Sequence, residues 1–152
     1  MIGSDNLSAY ASGNTFALKP LTDSRCEVAP QKGIHLFHFS HSLCSMKVRQ
    51  ALTESAVDWI SHLVLLPAYQ QYEPDYVRIN PRCVVPTLAC DGKVTTDSAN
   101  ILNFINSKLS NLDASQKPSV HEFERINFWL NKADSLPIEA LTYGDNRGSN
   151  KS

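Results

Sequence analysis

Asp91-Gly92 stands between two extended-type runs, Pro86-Thr87-Leu88-Ala89-Cys90 and Lys93-Val94-Thr95-Thr96. Asp-Gly is a preferred central pair of the type I′ turn, whose middle residues need positive φ and whose twist matches that of antiparallel strands. The segment therefore predicts a tight hairpin, and what flanks it narrows the fold. Ile34-His35-Leu36-Phe37-His38-Phe39 reads as a buried strand from its aromatic and branched side chains, broken by Ser40-His41-Ser42-Leu43. From Cys44 onward Val48, Ala51, Leu52, Ser55 and Ala56 recur at helical spacing, with Lys47, Arg49, Gln50 and Glu54 on the other faces. That is an amphipathic helix of about three turns. Val57 to Leu65 has strand composition and is ended by Pro67. Strand, helix, strand predicts a βαβ unit with a right-handed crossover and two parallel strands. Tyr69 to Asn80, with Pro74 inside, reads as an irregular segment or a short helix. After the hairpin, Asp97 and Ser98 supply capping side chains for a second helix whose apolar stripe is Ile101, Leu102, Ile105 and Leu109. The order is βαβ, a variable segment, then ββα.

The flanks are less regular. Residues 1–33 are rich in Ser, Asn, Thr, Asp, Gly and Pro with no sustained period, so they read as a flexible extension ahead of a domain over 34–110. Residues 111–118 read as a linker. In 119–152, Ser119 and Glu122 stand in capping-box register, and Phe123, Ile126, Leu130 and Ala133 share a stripe. A further helix is expected from about Val120 to Lys132 or Asp134, followed by a tail with little to bury.

Charge and apolar runs exclude some functions. A formal net charge of −1, from 14 basic and 15 acidic side chains, gives no footprint for nucleic acid. No apolar run approaches the roughly 18 residues of a membrane span, and no signal peptide is readable, so the expectation is a cytoplasmic protein. Cys26, Cys44, Cys83 and Cys90 form no Cys-x-x-Cys pair, which fits a reducing compartment and no cysteine metal site. His35, His38 and His41 suggest a metal, but on an extended segment 35 and 38 point to opposite faces, so no metal is expected.

Three places carry chemistry. Ser42-Leu43-Cys44-Ser45 marks a strand-to-helix junction. A helix N-terminus presents unpaired N–H groups and about half a positive charge, and so favours an anion. For Cys44 that anion is its own thiolate; the Ser42 hydroxyl can instead donate to another thiolate bound nearby. The structural alternative is that Ser42 or Ser45 caps the helix and Cys44 is a small buried filler. Val85-Pro86 opens a strand, which spares an N–H; only about 5–6% of X–Pro bonds are cis, so the dipeptide alone reads as trans. Asp97-Ser98 opens the second helix, as an ordinary cap or as a receiver of a ligand carboxylate. The order βαβ-ββα puts all three at one end of the sheet.

With that set in place, the chain resembles the glutathione transferases. The likeness covers about residues 34–110 and rests on HSLCSMKVRQAL (41–52), EPDYVRIN (73–80), VVPTL (84–88) and TDSANI (96–101). It is similar to the zeta class, and more so to the tetrachlorohydroquinone reductive dehalogenase group, which shares the Ser-x-Cys-Ser-Met-Lys start and the Glu-Pro-Asp-Tyr-Val-Arg segment. The resemblance implies an α/β thioredoxin-like domain followed by the start of an all-α domain, to which Leu141-Thr142-Tyr143-Gly144 also bears a likeness. It further implies glutathione as co-substrate, a small hydrophobic or aromatic electrophile, and a homodimer. Carried over by motif, Val85 pairs its backbone with the cysteinyl part of glutathione, the Val85-Pro86 bond is cis, and Asp97 and Ser98 hold the γ-glutamyl end. Ser42 and Cys44 meet the sulfur, Ser42 by a hydrogen bond or Cys44 through a mixed disulfide, and Arg49 either supports the helix end of the site or is a solvated charge. The zeta class has adjacent serines and a Trp-Arg pair where this chain has Ser42-Leu43 and Met46-Lys47, which weighs against isomerase activity more than against glutathione binding. A binding or regulatory module without turnover, or an inactive fragment, is the alternative reading.

Overall fold

A computed structural model describes residues 18–109 and 119–136. In the first stretch, β1 (Ser24–Arg25), β2 (Ile34–His38), β3 (Ile60–Leu63), β4 (Thr87–Cys90) and β5 (Lys93–Thr96) form one sheet in the spatial order β1-β5-β4-β2-β3. β2 and β3 are parallel, and the other neighbouring pairs are antiparallel. Helix α1 (Leu43–Glu54) links the parallel strands, α2 (Pro74–Ile79) precedes β4, and α3 (Ser98–Phe104) follows β5 and continues as a π-turn over Ile105–Leu109. Helix α4 (Val120–Asp134) belongs to the second of two units into which the chain divides, residues 1–111 and 112–152. Its capping box is formed: the Ser119 side chain accepts from the Glu122 N–H, and the Glu122 carboxylate accepts from the Ser119 N–H.

The sheet and helices of the first unit have the thioredoxin-like order expected. The hairpin turn has φ of 47° at Asp91 and 77° at Gly92, the positive pair that a type I′ turn requires. β3 is shorter than its composition suggests, because its parallel partner offers only His35 to His38 for pairing. Helix α1 stops at Glu54, and Ala56 turns the chain with φ of 50°.

Residues 18–33 are not the flexible extension that their composition implies. Ser24 and Arg25 pair with Val94 and Lys93 of β5. Leu21 exchanges hydrogen bonds with Thr96: its carbonyl accepts from the Thr96 N–H at 2.8 Å, and its N–H donates to Thr96 Oγ1 at 2.8 Å. Leu18 and Ala29 are each only 3% exposed. A two-residue strand has no alternation to detect, and its partner lies about seventy residues away, so no local pattern announces it. Residues 1–17, the linker 111–118 and the tail beyond 136 lie outside the described residues.

The sheet buries both faces. On one, Leu36 and Leu88 pack with Val48 and Leu52 of α1 and with Ile101 and Ile105. On the other, Ala89 and Val94 pack with Ala29 and with Ile79 of α2. Each large side chain so buried contributes about 1.5–3 kcal/mol. The strand histidines divide between these faces. His35 Nδ1 lies 2.8 Å from His62 Nε2, whereas His38 Nε2 lies 2.7 Å from Ser61 Oγ on the opposite side. Burial, then Arg49, then His62 hold the His38 imidazole below its ordinary pKa. The unfolded chain therefore takes up a proton below about pH 6.5 that the folded chain resists, so stability falls as pH drops through that range. His38→Gln is expected to shrink this acid-side loss; denaturant midpoints compared at pH 7 and pH 5 check it.

Candidate active site

Strand register brings three segments to one rim. Phe37 at the end of β2 is opposite Thr87 at the start of β4, and Thr87 is opposite Thr96 at the end of β5. The turn after β2, Val85-Pro86 and Asp97-Ser98 therefore follow one another along three adjacent strands. At about 4.8 Å per strand, the rim is about 10 Å long.

At the first position Ser42 is the helix cap, in extended conformation, with its Oγ accepting from the Ser45 N–H at 3.2 Å. As an acceptor there, it keeps its own O–H free to donate. Ser45 is buried, and its Oγ accepts from the Phe39 N–H at 3.4 Å. Arg49 donates from Nη2 to the Ser40 carbonyl at 3.1 Å, which ties the second helical turn to the loop. Cys44, in the first turn of α1, is exposed, so the buried-filler alternative does not hold.

At the second position the Val85-Pro86 bond is cis. A buried polar network fixes the chain on either side of it. Tyr76 donates its hydroxyl hydrogen to the Val84 carbonyl at 2.6 Å, which leaves Thr87 to donate to the phenol oxygen at 2.9 Å. Asn80 Nδ2 donates to the Val84 carbonyl and to Thr87 Oγ1, both at 2.8 Å, and its Oδ1 accepts from the Arg82 N–H at 3.1 Å. Burial pushes the Tyr76 phenol up to about 12, against an opposing pull from its bonds to Thr87 and Asn80. The neutral phenol is thus a source of stability that is complete below pH 10 and disappears as pH rises towards 12, a loss of roughly 2–3 kcal/mol. Tyr76→Phe is expected to flatten that alkaline loss, read from unfolding curves between pH 9 and pH 11.5.

At the third position Asp97 has φ of 75°, an uncommon conformation for a residue with a side chain. Its Oδ1 caps α3 by accepting from the Ala99 N–H at 3.1 Å, and its Oδ2 lies 4.0 Å from Arg82 Nη1. Ser98 is 9% exposed. Ser42, Cys44, Val85, Pro86, Asp97 and Ser98, the residues to which the sequence gives candidate roles, all lie on this rim. Tyr76, Asn80, Arg82 and Thr87 have no candidate role in the sequence alone. Thr87 is a polar side chain in an otherwise apolar run, Val84 to Ala89, whereas Asn80 stands between two arginines and carries no such signal.

Residues 41–108, which contain the cap, the cis-proline turn and the acidic helix start in this order, match the glutathione S-transferase N-terminal domain family. The chain is 36% identical over 112 residues to the tetrachloro-p-hydroquinone reductive dehalogenase of Sphingobium chlorophenolicum, covering 73% of this chain and 44% of the relative. It is 33% identical over 75 residues to a zeta-class glutathione S-transferase of Euphorbia esula, covering 49% of this chain and 33% of the relative. The chain thus spans less than half the length of these curated relatives. Among solved structures, a diazinon-metabolizing glutathione S-transferase of the silkworm Bombyx mori superposes with a TM-score of 0.61 at 25% identity, covering 67% of this chain and 50% of that one. No helix among the described residues is long and apolar enough to cross a membrane.

Proposed function

We propose that the rim binds glutathione and turns its thiolate on a small hydrophobic or aromatic electrophile. The observation that carries this reading is the spacing of three different recognition elements over about 10 Å, the length of an extended tripeptide. The half-buried Val85, ahead of the cis-proline, offers backbone groups to the central residue. Asp97 suits the γ-glutamyl ammonium, and Ser98 suits its carboxylate through a hydroxyl and free N–H groups. The sulfur then lies over the start of α1. There the Ser42 O–H stabilises the thiolate by a charge-assisted hydrogen bond and raises its concentration at neutral pH.

Similarity to a reductive dehalogenase and the exposure of Cys44 favour a second, thiol-exchange stage. Glutathione displaces halide from an aryl halide to give a thioether. The Cys44 thiolate attacks the sulfur of that adduct, so Cys44–S–S–glutathione forms while the carbon–sulfur bond breaks and the departing aryl carbon takes a proton. A second glutathione attacks the mixed disulfide, regenerating Cys44 and leaving glutathione disulfide. Overall, two thiols are oxidised and one carbon–halogen bond is reduced to carbon–hydrogen.

Calorimetric titration of glutathione and halide release from an aryl halide test the reading on wild type and on Ser42→Asn, which keeps a capping side chain but has no hydroxyl. Glutathione binding with turnover reduced at least about tenfold in Ser42→Asn is expected, the scale of one lost charge-assisted hydrogen bond. Absence of glutathione binding by the wild type sinks the reading.

A further inference from the structure

One under-satisfied polar group beside the rim is the guanidinium of Arg82. Its side chain is 18% exposed, and its Nε is buried without a hydrogen-bond partner among the described residues. Its ion pair reaches Asp97 only at 4.0 Å, from Nη1 to Oδ2, while the other oxygen of Asp97 is committed to the helix cap. An arginine has five donors in a rigid fork and takes a carboxylate best by two of them at once. A buried guanidinium donor without an acceptor is disfavoured, and such a group in a native fold calls for an explanation.

We propose that Arg82 is a specificity-determining residue that, with Asp97, reads the zwitterionic amino-acid head of the ligand: Asp97 takes the ammonium, and the under-used donors of Arg82 turn to the adjacent α-carboxylate. This rests on the glutathione reading and adds a residue from the cis-proline turn to it. Two features make the arginine suited to the task. Its backbone N–H is bonded to Asn80, whose amide also holds the Val84 carbonyl, so Arg82 is anchored to the turn that presents Val85. Its guanidinium spans from that turn to the start of α3, so a ligand seated there contacts two of the three rim elements through one head group. An α-amino-acid zwitterion carries its opposite charges on two substituents of one carbon, matching a carboxylate and a guanidinium 4.0 Å apart, whereas a simple anion or cation satisfies only one of them.

The full chain and its Arg82→Met and Arg82→Lys variants are titrated by calorimetry with three peptides: glutathione, the analogue whose γ-glutamyl group is replaced by 4-aminobutyryl and so has no α-carboxylate, and the glutaryl analogue that has no ammonium. Thermal unfolding of each variant is recorded alongside. Arg82→Met is expected to bind glutathione and the glutaryl analogue roughly 10–100-fold more weakly than wild type and the 4-aminobutyryl analogue equally well, with Arg82→Lys intermediate. Asp97→Asn is expected to show the converse, a loss confined to peptides that carry the ammonium. Unchanged glutathione affinity in Arg82→Met, or an equal loss for all three peptides, overturns the role of Arg82 while leaving glutathione binding intact. If the wild-type chain binds none of the peptides, the glutathione reading fails and this proposal fails with it.

Discussion

Cys44→Ser is expected to reduce formation of the dehalogenated aromatic product by on the order of 100-fold or more, with glutathione binding and formation of the glutathionyl adduct left within about threefold. The reason is the division of labour between two sulfurs. In the proposed reaction, adduct formation needs only the bound glutathione thiolate and the Ser42 hydroxyl, whereas release of the arene needs a second nucleophile that attacks sulfur. A serine hydroxyl has the size of the thiol but is not ionised at neutral pH, so the reaction stops at the adduct. Neither Cys83 nor Cys90 is a ready substitute. Burial pushes the Cys83 thiol up, and burial followed by the nearby carboxylates of Asp91 and Asp23 pushes up that of Cys90, so both hold less thiolate at neutral pH. Chromatography of the products together with intact-protein mass spectrometry separates the outcomes. A glutathionylated Cys44 in wild type and an accumulating adduct in Cys44→Ser are expected. Undiminished dehalogenated product from the serine variant removes Cys44 from the reaction.

How much of this was legible in the sequence depends on the range over which each signal acts. The hairpin, the caps at Ser42, Asp97 and Ser119, and the stripe of α1 are local, and turn chemistry or helical spacing announces each of them. The cis state of Val85-Pro86 has no local signature, and only resemblance to a family suggested it. β1 was missed because its partner is β5, and the segment that carries it buries just Leu18 and Ala29 among polar residues. The bracing of the site was missed for a related reason. Tyr76, Asn80 and Thr87 look ordinary one at a time, and their meaning lies in converging on the Val84 carbonyl and on one another. Candidate site residues on element ends can be read from spacing; the residues that hold them in place act through long-range geometry.

That bracing should also be visible in the stability of the domain. Asn80 is fully buried, and Asn80→Ala removes its bonds to the Val84 carbonyl, to Thr87 Oγ1 and from the Arg82 N–H. At roughly 1 kcal/mol for each net bond, with a further penalty for the orphaned Arg82 N–H, the variant is expected to be about 2–4 kcal/mol less stable. A sharper expectation concerns pairs of substitutions. The Val84 carbonyl accepts from both Tyr76 and Asn80, so Tyr76→Phe or Asn80→Ala alone leaves it one donor, whereas the double variant leaves it none. Thr87 Oγ1 likewise loses both neighbours only in the double variant. The double variant should therefore lose more stability than the sum of the single losses, by at least about 0.5–1 kcal/mol, the range seen for residues sharing a network. Urea unfolding of the four proteins at pH 7 closes the cycle, and glutathione affinity measured on the same set should follow it, because the Val84 carbonyl sets the position of the Val85 backbone. Strict additivity of the two substitutions would mean that the shared carbonyl does not hold the turn, and that Val85 is positioned by some other part of the domain.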